Sequence, residues 1–188
     1  MGLAYESGKG VEQNTGEATR WFRLAAIQGN AHAQHYIGLM YKIGQGVDKN
    51  HAKAMKWFKL SADQGDIESQ ISLAYIFQQG QGHKQDYVEA IKWFTLAAEK
   101  GLDIAAQFTL GMIFYQGDGV DENRQEGVRW FIKAAEQGYS KAQNILGVIY
   151  SEDLKHNKEI AKIWFGKACD NGFNAGCEKF QSLNAANF

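Results

Sequence analysis

Apolar residues recur along this chain at the spacing of helix faces. Between residues 54 and 62, Ala54, Trp57, Phe58, Ser61 and Ala62 fall at i, i+3, i+4, i+7 and i+8, the stripe of an amphipathic helix. Just upstream, Ala33, Ile37, Met40, Tyr41 and Gly44 place small and apolar groups along one face of a preceding helix. The two faces together predict a helix pair, and the pair repeats. Five Trp-Phe dipeptides begin at Trp21, Trp57, Trp93, Trp130 and Trp164, separated by 36, 36, 37 and 34 residues. A glycine stands eight residues after each tryptophan: Gly29, Gly65, Gly101, Gly138 and Gly172. Periods in this range mark solenoid architectures.

Each second helix has a start and a stop. Asn14, Asn50, Asp86, Asn123 and Asn157 are N-cap residues, and Glu17, Glu89 and Glu126 stand three residues later, as in a capping box. The closing glycines suit a left-handed helix end. Gly8-Lys9-Gly10, Gly44-Gln45-Gly46, Gly80-Gln81-Gly82 and Gly117-Asp118-Gly119 form a turn between first and second helices. The fifth unit lacks that turn and has a shortened loop around Glu152, Asp153 and Leu154, and one residue is inserted near Leu102–Ile104. Gly38, Gly111 and Gly147, with Ala74, align on first helices as points of close helix approach. The expected division is a partial first repeat at 1–29, full repeats at 30–65, 66–101, 102–138 and 139–172, and a capping helix at 173–188. A two-helix hairpin cannot bury its apolar face alone, so neighbouring hairpins must share a core, and the Trp-Phe pairs are expected inside it.

Composition removes several alternatives. Net charge is −1, which gives no reason to expect nucleic acid as a partner, and no apolar run approaches a membrane span. The chain has no proline, which suits an all-helical protein. The residues after Met1 lack the basic and apolar regions of a signal peptide. Gly2 aligns with Gly38, so residues missing upstream, or a partner covering this edge, are expected; self-association through the uncapped N-terminal edge is a further expectation.

The repeated A-x-x-WF-x-x-A-A-x-x-G and A-Q-x-x-L-G-x-x-Y-x-x-G-x-G-V patterns resemble the Sel-1-like repeat family, relatives of tetratricopeptide repeats, over Gly2 to about Leu183. The resemblance implies an all-α fold, a right-handed superhelix of tandem antiparallel helix pairs. It also implies an adaptor or scaffold role in bacterial signalling, envelope or host-interaction systems, with first helices lining a concave face. Three stripes on first helices then form the expected partner groove. They align His35, Ile71, Phe108 and Asn144; Leu39, Tyr75, Met112 and Val148; and Lys42, Gln78, Tyr115 and Ser151. The middle of this patch is apolar, as interaction surfaces are.

Cys169 takes the position of Ala26, Ala62, Ala98 and Ala135, and Cys177 that of Gln34, Gln70, Gln107 and Gln143. The two lie either side of the Gly172 junction, so a bridge is geometrically open to them, as are two free thiols. At this last junction alone the spacing resembles a cysteine-rich, secreted branch of the same family whose repeats are stapled there; the expectation is a Cys169–Cys177 disulfide that locks the C-terminal capping helix, which would favour a periplasmic or secreted protein.

No catalytic set assembles from the sequence. His32 and His35 are spaced i, i+3 without a third metal ligand in view, and His51, His83 and His156 stand singly. The acidic segment 117–123 lacks the ligand pattern of a calcium loop, and the Gly-x-Gly turns lack the lysine of a phosphate loop. The expectation is a non-enzymatic binder of a protein or peptide, with no metal and no cofactor. A secreted ligand-binding protein or enzyme acting on cell-wall fragments is the alternative, and a spacer between other domains a third reading.

Overall fold

A computed structural model describes residues 1–82, 84–99, 103–152 and 157–185. His83, Gly101, Leu102, Asp153, Leu154, His156 and the last three residues of the expected capping segment lie outside the described residues. Among the described residues there are eleven helices: α1 (Gly2–Ser7), α2 (Thr15–Ile27), α3 (Ala31–Ile43), α4 (His51–Ala62), α5 (Ile67–Gln79), α6 (Tyr87–Glu99), α7 (Ile104–Gln116), α8 (Arg124–Glu136), α9 (Ser140–Glu152), α10 (Lys158–Asp170) and α11 (Asn174–Ala185). They form two compact units, residues 1–97 and 98–188.

Short polar side chains start the helices as expected. Asn14, Asn50, Asn123 and Asn157 accept from the backbone N–H three residues on, at 3.0, 2.9, 3.0 and 3.2 Å. Asp86 caps α6 in the same way. Asn30, Asp66 and Asp103 do so for the first helices α3, α5 and α7. The glutamates of the expected capping box have a different role. The cap residue's own N–H, which a capping-box glutamate would accept from, already donates to a carbonyl of the preceding first helix: Asn14 to Tyr5, Asp86 to Phe77, Asn123 to Phe114. Glu17, Glu89 and Glu126 instead face Arg20, Lys92 and Arg129 one turn further on.

Phenylalanine is the fixed point of the core. Phe58, Phe94 and Phe131 are 0% exposed, Phe165 2% and Phe22 7%. Each of three rings packs directly against a glycine of the paired first helix. A Cβ on Gly38, Gly111 or Gly147 would stand 2.6, 2.5 or 2.6 Å from Phe58, Phe131 or Phe165. The small residues therefore make room for a ring, which is more specific than a general close approach of two backbones. Tryptophan does not share this burial. Trp93 and Trp130 are 4% and 6% exposed, but Trp57 and Trp164 are only half-buried and Trp21 is 39% exposed. The reason is position. Trp57 packs against the cluster that joins α2 and α3 around Phe22 and Ile37, and Trp164 against the one that joins α8 and α9 around Phe131 and Leu146. The indole seals the seam between repeats and keeps one edge in water.

A buried glutamine ties each second helix to the next first helix. The Nε2 of Gln34, Gln70, Gln107 and Gln143 donates to the carbonyl of Ala26, Ala62, Ala98 and Ala135 at 3.1, 3.2, 3.3 and 2.9 Å. Three of the amide oxygens accept in turn from the end of their own repeat's second helix, from Gln64, Gln137 and Asn171. At the last junction the same two positions are Cys169 and Cys177, and the structure joins them by a disulfide with Cα atoms 4.5 Å apart. A covalent link stands where the other junctions carry a hydrogen bond.

Candidate partner-binding surface

The stripe residues sit on successive first helices, with their inner edges in the core and their outer edges in solvent. In the first unit His35, Leu39 and Lys42 come from α3 and Ile71, Tyr75 and Gln78 from α5, and all six are half-buried. Tyr75 meets Phe94 edge-on, ring centres 5.1 Å apart. In the second unit Phe108, Met112 and Tyr115 come from α7 and Asn144, Val148 and Ser151 from α9, again half-buried. Phe108 touches Phe131 and Tyr139, Tyr115 touches Phe131, and Met112 packs on the same cluster. The apolar anchors read from the sequence as a groove are thus also the outer wall of the core.

His35 is the clearest departure. Its side chain is 14% exposed, with Nδ1 2.8 Å from Ser69 Oγ and 3.5 Å from Asp66. It is committed to the junction of α3 and α5 rather than offered to a partner. Burial pushes its pKa below the usual histidine range, outweighing the opposing pull of Asp66 and Glu68; His32 and Lys42 add to the lowering. Asp66 also stands 3.5 Å from His32, bringing together the two histidines of the i, i+3 pair. The signal for it was its place as N-cap of α5, aligned with Asn30 and Asp103. Its Oδ1 is engaged by the Ser69 N–H at 2.8 Å. Among the described residues, no group of three or more His, Cys, Asp or Glu is placed to hold a metal ion.

At the N-terminal edge Met1, Leu3 and Trp21 are exposed around a depression of about 500 Å³. Among the described residues no helix is long and apolar enough to cross a membrane.

This arrangement, helix hairpins stacked through shared aromatic seams, defines a tandem helix-pair repeat protein. The pattern of the Sel1 repeat matches residues 1–30, 31–66, 67–102, 104–139 and 140–173, and the chain belongs to that family. Repeats of this kind generally mediate protein interactions.

Solved structures agree. The chain is similar to a protective antigen present in uropathogenic Escherichia coli strains that displays the SLR fold, at 34% identity and TM-score 0.85 over 97% of this chain. It spans 40% of that antigen's length. A Sel1 repeat protein from Oxalobacter formigenes matches at 34% identity and TM-score 0.83 over 91% of this chain and 71% of the other. A putative sel1 repeat protein of Klebsiella pneumoniae shares the fold, at 22% identity and TM-score 0.55 over 97% and 89% of the two chains. Among curated protein sequences no match to the chain is found.

Proposed function

We propose that the protein is a non-enzymatic adaptor that binds a protein or peptide partner on its first-helix face, in bacterial signalling, envelope or host interaction. One observation carries the reading. Positions dictated by packing repeat from copy to copy, as the buried glutamines and phenylalanines do, whereas the outward positions Leu39/Tyr75/Met112/Val148 and Lys42/Gln78/Tyr115/Ser151 change in every copy. Variation on a constant scaffold is how a repeat array acquires a specific surface. Half-buried Tyr, Met and Phe suit it, since they reach a partner while held rigid by the core.

The test uses half-exposed positions, so that the core stays intact. Leu39→Asp with Lys42→Glu addresses the first unit and Val148→Asp the second. A partner captured by wild type from source-cell fractions and lost by the triple variant, at unchanged helicity, supports the adaptor. Unchanged capture by the variant refutes the first-helix surface.

A further inference from the structure

The outer side of the first repeat departs from the other copies at one corner. Position 27 is isoleucine and 70% exposed, where the aligned residues are Asp63, Glu99, Glu136 and Asp170. An acid in four copies is replaced in the fifth by a branched apolar group facing water, which hydration alone does not favour. Nearby, Thr19 stands where the other copies carry Met55, Ile91, Val128 and Lys162. Gly16 stands where they carry Ala52, Val88, Gln125 and Glu159.

These smaller residues leave a cavity of about 290 Å³ between α2 and the turn after α3. Its apolar wall is Leu24, Ile27 and Val47, and Arg20 and Arg23 line it as well. Leu24 is itself 48% exposed. Neither guanidinium is tightly engaged. Arg20, 74% exposed, is 3.7 Å from Glu17, and Arg23 donates to the Tyr41 hydroxyl at 3.4 Å. Thr19 is not a recognition group, because its hydroxyl already donates to the Thr15 carbonyl at 2.7 Å.

We infer that this corner binds an acidic segment of a partner protein, with a carboxylate side chain on Arg20 and Arg23 and a neighbouring apolar side chain against Leu24, Ile27 and Val47. Two guanidiniums one turn apart suit a carboxylate, which each can hold through paired hydrogen bonds. The stripe from position 20 to 27 runs roughly 10 Å along α2 at the helical rise, so its occupant has to present both kinds of group. Losing the acid at position 27 removes the repulsion that the other four copies would exert on such a ligand. The inference does not rest on the first-helix surface, since every residue in it lies on α2 or in the turn after α3.

The test is an ¹H–¹⁵N NMR titration of the full chain. The probes are an acetylated and amidated octapeptide with a leucine-aspartate-leucine centre, its asparagine counterpart, the asparagine peptide with a free C-terminus, and phosphatidylglycerol vesicles. The aspartate peptide is expected to shift the Arg20 and Arg23 side-chain N–H signals and the amides of residues 20–27. Ile27→Asp, which only installs the residue type of the other copies, and Arg20→Gln with Arg23→Gln should each weaken binding at least tenfold with helicity unchanged. Equal binding of the amidated asparagine peptide, no shift at residues 20–27, or full affinity in Ile27→Asp would overturn the inference. Preference for the free C-terminus or for the vesicles would overturn it in favour of a chain end or a membrane.

Discussion

Replacing Cys169 and Cys177 by alanine removes the link between α10 and α11 and leaves nothing in the place of the glutamine bond. The cysteines are eight residues apart, and closing a loop of that size stabilises by about 2.5 kcal/mol in the chain-entropy account. Because a terminal element of a repeat array can open by itself, the loss should fall on α11, where Gly176 is the one buried residue. Apart from the bridge, α11 is held by packing on α10 and α9, with the Phe173 N–H donating to the Ala168 carbonyl at 2.9 Å and Phe180 against Gly166. Amide exchange across α11 should therefore quicken by about seventyfold, the equivalent of that free energy, with exchange in α7 and α8 unchanged. Alanine at 169 with glutamine at 177 rebuilds the bond of the other four junctions and should recover about 1 kcal/mol. Exchange mass spectrometry on peptides covering residues 174–185 reads all three forms, and the intact mass should rise by two daltons on reduction of wild type. Equal protection of oxidised and alanine forms, or a glutamine form no better than alanine, would rule out this role of the bridge at the α10–α11 junction.

Two further outcomes follow from the core. Gly147→Val places methyl groups where even a Cβ would stand 2.6 Å from Phe165, so stability should fall by about 1–3 kcal/mol, read by urea unfolding; an unchanged midpoint would contradict the ring-on-glycine packing. His35 is held neutral by burial, so its folded pKa lies below its unfolded value of about 6.5. Its contribution is present above that unfolded value and is lost as pH falls through it to the folded pKa. Wild type minus His35→Gln, compared by thermal unfolding at neutral and mildly acidic pH, should show wild type losing its advantage in acid; parallel curves would contradict the linkage.

Elements that repeat within the chain were legible before the structure, and contacts that join different repeats were not. The five Trp-Phe pairs and the spaced glycines specified helices, caps and turns, because each is a local pattern seen several times over. The same periodicity overstated tryptophan: it cannot distinguish a ring inside a hairpin, as Phe58 is, from one on the seam between two, as Trp57 is. Gln34 and its counterparts were visible as an alignment, but their bond to a carbonyl eight or nine residues back depends on how two helices meet. Asp66 lies more than thirty positions from His32, and no single-helix pattern predicts that they approach. For the proposed binding surface, the sequence located the variable positions on first helices; that Phe108 and Met112 also pack on the core emerges only from the fold.

Site-specific photocrosslinking decides whether first helices carry the partner, as proposed. A benzophenone side chain would be placed at position 39, 78 or 148 on first helices, and at 129 or 162 on second helices as controls. One partner crosslinked from the first three positions and not from the controls is the predicted result. Crosslinking from the control positions alone, or equally from both sets, would contradict the claim.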